Sequence, residues 1–306
     1  MGKKVLLFII TFFTVAILGA GSYAFQYATS TASSITEEID NHSNQKFKDR
    51  LENISLKNGD PISVLIMGID KPVGEERGRS DSLVLLTLNP HSKSMQMVSI
   101  PRDTYTKIKG PAEDKINSAY HEGGTEMTIS SVENLFDVPV DYFVKVNMKS
   151  FKQIVDAVGG VDVNNDLNFT FRNIDYPKGH LHLNGKEALL YSRMRKVDPR
   201  GDFGRQKRQR QVMEAVIDKG ASISSVTKYG EMLKVVQNNV KTNMNFYDMW
   251  KIQSNYKDAR ENIEQHKLKG SDKTIKGTYY YIPDKKDLRI ISNSLKKHLE
   301  MNDHHV

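Results

Sequence analysis

The stretch ISVLIMGIDKPVGEERGRSDSLVLLTLNPHSKSMQMVSIPRD, Ile62 to Asp103, decides the fold. Its first run, ISVLIMGI (62–69), is densely apolar and is followed by turn residues, the pattern of a strand buried on both faces. SLVLLTL (82–88) and SMQMVSI (94–100) read as two more strands, and the short NPHSK break joins them as an antiparallel hairpin. The ends of these strands carry charge. Asp70 lies just past the first strand, Asp81 just before the second and Arg102 just after the third. In a hairpin the start of one strand and the end of the next lie side by side. The ten-residue connection KPVGEERGRS, with no secondary structure of its own, is most simply local. Asp70, Arg79, Asp81 and Arg102 are therefore expected at one end of one sheet.

Downstream, INSAYHEG and TEMTISSVENLF (125–136) carry apolar residues at helical spacing. DYFVKVN (141–147) alternates as a strand, and SFKQIVDAVGG (150–160) is a helix ending in Gly-Gly. Asn184 and Glu187 form a capping pair that opens the helix GKEALLYSR, and another helix opens at Asp202 and runs to about Lys219. YGEMLKVVQNNV and NFYDMWKIQSNY read as helices, IKGTYYYIP (275–283) as a strand and KKDLRIISNSLKKHL as a final helix. Strands interleaved with helices predict a layered α/β/α domain around a central mixed β-sheet. With 38% hydrophobic and 26% charged residues in 306, the chain is globular. It has no cysteine, so a metal would have to be held by oxygen or imidazole.

Residues 5–25, VLLFIITFFTVAILGAGSYAF, carry no charge and would span roughly 30 Å as a helix. Lys3 and Lys4 precede them and no charged residue follows until Glu37, which keeps residues 1–4 cytoplasmic and sends the rest outward. The expectation is a single-pass cell-membrane protein: a signal-anchor at 5–25, a polar stalk over 26–60 and an extracellular domain over 61–303. A cleaved signal peptide is the alternative, with Ala28-Thr29-Ser30 as a passable cleavage site.

Most of the net charge sits in SRMRKVDPRGDFGRQKRQR, Ser192 to Arg210. From Arg193 to Arg210, six Arg and two Lys face only Asp198 and Asp202, a local +6 in a chain of +7. On a helix from Phe203, Arg205 and Arg208 or Gln209 continue the stripe of Val212 and Val216, whereas Lys207, Arg210, Glu214 and Asp218 share another face and are expected to pair in solvent. Arginines aligned with a buried face at a helix N-terminus need anionic partners. Arg193 and Arg195, two apart on an extended exit, would point the same way and complete a polyphosphate clamp. The competing reading is a solvated basic face or a patch for nucleic acid or anionic lipid. Asp70 and Asp81 likewise read either as members of a salt-bridge network or as a hard-cation site of Mg²⁺ type.

Other motifs carry less. His180 and His182 in GHLHLN share a strand face and lack an evident third metal ligand; Ser80 and Ser82 stand without a G-x-S-x-G elbow; TYYYIP and Trp250 read as packing residues before a sugar-stacking platform. No P-loop or dinucleotide fingerprint is present.

The succession VLIMGID, RSDSLVLLTLNP, VSIPRDTY, INSAY, VDYFVKVN, VDAVGGVDV, LNGKEALLYSRMR and DFGRQKRQ, over residues 61–220, resembles the LytR-CpsA-Psr family of cell-wall polymer ligases. The resemblance implies an extracellular α/β enzyme that moves an anionic glycopolymer such as wall teichoic acid from a polyprenyl-pyrophosphate carrier to a muramic acid hydroxyl of peptidoglycan. It places Mg²⁺ or Mn²⁺ on Asp70 and Asp81, and the pyrophosphate on Arg79, Arg102, Arg193, Arg195, Arg205 and Arg208. Asp81, Arg102 and Arg205 would be catalytic, with Asp81 also the candidate general base. The family often has Gln-Gln where this chain has Gln209-Arg210, and it holds the carrier's lipid in an apolar pocket. Nucleic acid is not an expected partner, because the orientation puts the basic segment outside the cell. The alternative is a non-catalytic, membrane-tethered polyanion-binding or regulatory protein.

Overall fold

A computed structural model describes residues 36–37, 47, 50, 53–70, 77–110, 112–221 and 240–301. The expected membrane segment 5–25, much of the stalk and all of the helix expected over 229–240 except its last residue, Val240, which begins a strand, lie outside the described residues. Among the described residues no helix is long and apolar enough to cross a membrane.

Strands β1 (Ile62–Asp70), β2 (Arg79–Asn89) and β3 (Ser94–Ile100) form the expected antiparallel succession. The short hairpin β4 (Tyr105–Lys109) and β5 (Ala112–Lys115) follows β3. Helix α1 (Ser118–Phe136) leads to β6 (Tyr142–Asn147), which runs parallel to β1. The two helical patterns of the sequence are one element, broken where Gly123 and Gly124 leave helical backbone angles. Helix α2 (Met148–Ala157) is capped by Asn147 and ends before Gly159 and Gly160, both at positive φ. Then come β7 (Val161–Asn165), β8 (Phe169–Phe171), β9 (Ile174–Tyr176) and β10 (Gly179–Leu183), which pair as two small sheets. Helix α3 (Gly185–Arg193) opens with the expected Asn184–Glu187 capping box, and α4 (Asp202–Ala221) follows.

The chain returns through β11 (Val240–Thr242), α5 (Phe246–Asn255), β12 (Asn262–Lys267), the hairpin β13 (Gly270–Ile275) and β14 (Thr278–Pro283), and α6 (Lys285–His298). The central sheet has the order β11-β6-β1-β2-β3-β12 and is mixed. Leu65, Met67, Leu83, Leu85, Val98 and Ile100 face α1 and α6, whereas Val64, Val84, Leu86, Met95 and Met97 face α5 and the Met213–Ile217 side of α4. Both faces are covered, which is why the first strands are apolar without a break. Each such side chain, fully buried, stabilises by about 1.5–3 kcal/mol.

A third cluster, with Val161, Phe169, Tyr176, Tyr191 and Val212, lies on the other side of α4. That helix is therefore wedged between the sheet and the small β-layer. The described parts of the expected stalk pack on the domain: Phe47 and Leu56 are buried, Arg50 pairs with Asp141 at 3.2 Å and Thr36 bridges Thr242. Folded structure thus reaches back before Pro61, because this polar segment carries just enough apolar and charged groups to dock.

Candidate active site

The site lies where β1 and β3 end and β2 begins. The register passes from Gly68↔Ser82 to Ile69↔Ser80, so Asp81 is the extra residue of a β-bulge. A bulge re-aims the side chain it inserts. Asp70, which the sequence placed after the strand, is its last residue and pairs opposite Arg79. Asp81 Oδ1 accepts from Arg102 Nη1 at 3.3 Å and from Asn117 Nδ2 at 3.4 Å. Arg102 is held by position: it follows β3 through Pro101, and its carbonyl accepts from the Asn117 amide at 3.2 Å. Asp70 Oδ2 lies 3.6 Å from Arg193 Nη2.

The end of α3 supplies two arginines together. Met194 leaves the helix with extended backbone angles and is fully buried, so Arg193 and Arg195 on either side of it are both exposed. From the first turn of α4, Arg205 reaches back with its side chain only 13% exposed, its Nη2 2.6 Å from Asp202 Oδ1. Burial pushes the Arg205 guanidinium below its ordinary pKa against the pull of Asp202, and Arg102 and Arg195 add repulsion. Burial also works against Arg102, but Asp81, Asp103 and Asp202 outweigh it and raise that pKa. The Nε–H groups of both Arg102 and Arg205 are buried without a hydrogen-bond acceptor among the described residues. Arg102 Nε is 3.5 Å from Asp103 Oδ2, too poorly aligned to be bonded. Added negative charge is therefore favourable here.

A family model described as the LytR_cpsA_psr family matches residues 22–297. The chain belongs to this family. Over 302 residues it is 54% identical to the polyisoprenyl-teichoic acid--peptidoglycan teichoic acid transferase TagU of Bacillus subtilis (strain 168), covering 97% of each chain. The crystal structure of B. subtilis TagU superposes with a TM-score of 0.65 over 79% of this chain and 98% of that one. TagT bound to LIIa-WTA, 30% identical, gives a TM-score of 0.68 over 87% of this chain and 94% of that one.

Against the LytR_cpsA_psr expectation, Asp70, Arg79, Asp81, Arg102, Arg193, Arg195 and Arg205 converge and Arg208 does not. Arg208 was expected among the pyrophosphate ligands, but its side chain is 1% exposed and wholly engaged inside the molecule. Its Nε donates to Tyr191 O at 3.0 Å, its Nη1 to Asp198 Oδ2 at 2.6 Å and its Nη2 to Met194 O. Three residues on from Arg205 the helix has turned far enough to face the third cluster, and Arg208 ties the end of α3 and the loop that follows it to α4. Gly204 is required beside it, since a Cβ there would lie 1.9 Å from Asp198 Oδ2.

The expected solvent face is also different. Lys207 is 43% exposed and pairs with Asp166 at 2.7 Å, but Arg210 donates to Gln265 at 2.8 Å and to Ser99 at 3.0 Å, and Glu214 accepts from Gln265. Edge strand β12 covers positions that would otherwise be in water. Sequence reasoning missed Asn117 as a partner of Asp81 and the contact of Gln209 with Ser82 Oγ at 3.2 Å. The i+4 spacing of Gln209 from Arg205 was the available signal.

Asp70 and Asp81 suit a hard cation in kind: two carboxylates, each about one-third exposed, beside arginines that would hold phosphate. Among the described residues no group of three or more acidic, His or Cys side chains is arranged to hold a metal. A cation here would take its remaining oxygens from water and phosphate, as Mg²⁺ commonly does.

Proposed function

We propose that this chain transfers an anionic glycopolymer of the wall teichoic acid class from a polyprenyl-pyrophosphate carrier to peptidoglycan. The observation that carries the reading is the buried, acceptor-less Nε–H pair of Arg102 and Arg205 beside a further three arginines and two carboxylates. Such a site is built for two adjacent phosphates. The names of the relatives agree with it.

A C6 hydroxyl of N-acetylmuramic acid attacks the polymer-proximal phosphorus. The new O–P bond forms as the bond to the bridging oxygen breaks, and polyprenyl phosphate departs with the electron pair. Asp81 takes the hydroxyl proton, a task that competes with metal ligation. Arg79, Arg193 and Arg195 hold the diphosphate, while Arg102 and Arg205 neutralise charge that develops in transfer, usually the largest contribution to phosphoryl-transfer catalysis. Asp70 and Asp81 would hold Mg²⁺ or Mn²⁺, which when bound adds charge neutralisation at the phosphate oxygens.

The lipid has a route as well. A cavity of about 250 Å³ between the sheet and α4–α5 is lined by Val64, Leu86, Met95, Ile217, Met244 and Ile252, among others. Gln209, Met213 and Ile217, at successive turns of α4, lead from Ser82 to this cavity. Anchoring through residues 5–25, with the domain outside the cell membrane, would bring the cavity to the carrier's own bilayer.

The test is incubation of the purified chain with Mg²⁺, a synthetic polyprenyl-pyrophosphate glycan and peptidoglycan oligomers, with the products read by mass spectrometry. Wild type should form the phosphodiester, and Asp81→Ala should lose most of the rate. Wild-type rates in Asp81→Ala would remove both assignments to Asp81. Retention of the donor without transfer would favour the polyanion-binding alternative.

A further inference from the structure

The β13–β14 hairpin stands directly beside the arginines. Tyr281 N donates to Asp103 O at 2.8 Å and Thr104 bridges Tyr281, so the hairpin is fastened to the residues that follow Arg102. Tyr281 is buried, its ring 5.9 Å from that of Phe203, the neighbour of Asp202 in the first turn of α4. Tyr279 lies two residues earlier on the same hairpin face and is 44% exposed. Its hydroxyl donates to Asp272 at 2.7 Å, which fixes the ring. Tyr280 is held in the same way, through Asp114 at 3.2 Å and an edge contact with Tyr105 at 5.0 Å. Lys115 Nζ lies 5.8 Å and 5.7 Å from the two ring centroids and 2.8 Å from Asp103, whose other carboxylate oxygen faces Arg102. A continuous chain of contacts thus links the phosphate site to an exposed, rigid aromatic ring.

Packing does not account for this ring. Tyr281 completes the core contact of the hairpin, and Tyr279 projects a fixed ring into solvent. An aromatic face flanked by carboxylates suits a pyranose: the ring covers the apolar C–H face, and the acidic oxygens accept from hydroxyls and amide N–H groups. Burial first, then the hydrogen bond and charge of Asp272, and last the charges of Asp103 and Asp202 raise the pKa of the Tyr279 hydroxyl. Asp103 and Asp202 are matched by Lys115, Arg102 and Arg205, but Asp272, in no ion pair among the described residues, disfavours a polyphosphate chain at the ring, whereas the uncharged sugar rings of an acceptor strand can lie on it. A ring already fixed also loses little entropy on binding.

From this geometry we infer that Tyr279, with Asp272 and Lys115, forms the subsite that holds the acceptor glycan, an amino-sugar strand, against the Arg102 side of the site. The inference rests on the transferase reading. It places the acceptor on the hairpin side, away from the α4 corridor toward which the polyprenyl phosphate leaves, as in-line displacement requires.

The test is steady-state transfer with donor and acceptor varied separately, using the full-length chain. Tyr279→Thr keeps a β-forming residue opposite Thr274, and should raise the acceptor KM about tenfold, with donor KM and kcat within about twofold of wild type. Tyr279→Phe keeps the ring but frees it from Asp272, and should raise the acceptor KM by less than Tyr279→Thr does. Asp272→Asn keeps the side-chain shape and should weaken acceptor binding if Tyr279→Thr proves unstable by thermal melting. An unchanged acceptor KM, or a rise in donor KM instead, overturns the inference while the transferase reading stands. A second arm titrates an uncrosslinked peptidoglycan tetrasaccharide calorimetrically without donor. Weaker binding by Tyr279→Thr upholds the subsite even where no transfer occurs; equal binding overturns it.

Discussion

Arg205 and Arg208 lie three residues apart on one helix and differ in almost everything that matters. Arg208 is enclosed, with its charge matched by Asp198 and each of its three nitrogens hydrogen-bonded within the protein, Nε and Nη2 to backbone carbonyls. Arg205 is also largely buried, yet it keeps an Nε–H without an acceptor and sits among like charges. The first arrangement is complete within the protein and holds the loop that presents Arg193 and Arg195. The second is incomplete until an anion arrives. The contrast shows that burial of a cation does not by itself mark a site; what marks it is burial with donors left over.

Removing Arg208 should have the largest effect, and on stability. Arg208→Met leaves Asp198 buried with only Arg200 beside it, at a cost of about 3–5 kcal/mol, read by denaturant unfolding. Burial alone would raise the Asp198 carboxyl, but hydrogen bonds from Arg200 and Arg208 outweigh it and hold it well below the usual carboxylate range. A depressed folded-state pKa stabilises above the unfolded value, about 3.9, and the gain is lost as pH falls through the folded value. Wild type should therefore lose Tm below about pH 4 faster than Arg208→Met, and the two curves should converge. Parallel curves would mean that Asp198 is held chiefly by Arg200.

Arg205→Ala should act on transfer. The lost charged hydrogen bonds amount to about 1.5–3 kcal/mol, or roughly ten- to more than a hundredfold in rate, with Tm near or above wild type because like-charge repulsion is relieved. Arg205→Lys should not restore the rate, since an ammonium lacks the planar two-donor fork. Unfolding of Arg205→Ala comparable to that of Arg208→Met would erase the distinction between the two residues.

The smallest effect is expected at Lys207, whose partner Asp166 is also bonded by Arg200. Lys207→Ala removes a surface pair of about 0–1 kcal/mol and should change transfer less than twofold, assayed at equal folded concentration. Equal losses at 205 and 207 would make the segment a diffuse basic patch.

Much of the fold was legible because its signals are local. The apolar runs of β1–β3, the cap at Asn184 and the Gly159-Gly160 stop each depend on a few adjacent residues. Strand β12, NIEQHK, was not legible: it is polar, mostly exposed, and is a strand because β3 offers it an edge to pair with in parallel. The bulge that turns Asp81 into the site is likewise a matter of register between two strands, and nothing in RSDSL announces it.

The sequence by itself determined that the chain is layered α/β and that two aspartates and two arginines meet at one end of a sheet, since the apolar runs mark the strands and the short NPHSK break pairs two of them as a hairpin. Only the tertiary structure decided which arginines gather beside Asp70 and Asp81. Helical phase assigns a residue to a face, but α4 is covered on two sides, so whether a cation on it meets Asp198, Gln265 or an anion-ready cleft depends on the segment folded over it. The same holds for Tyr279: the run TYYYIP looks uniform in sequence, and the hairpin's seat on Asp103 and Thr104 is what buries one ring and leaves another in solvent.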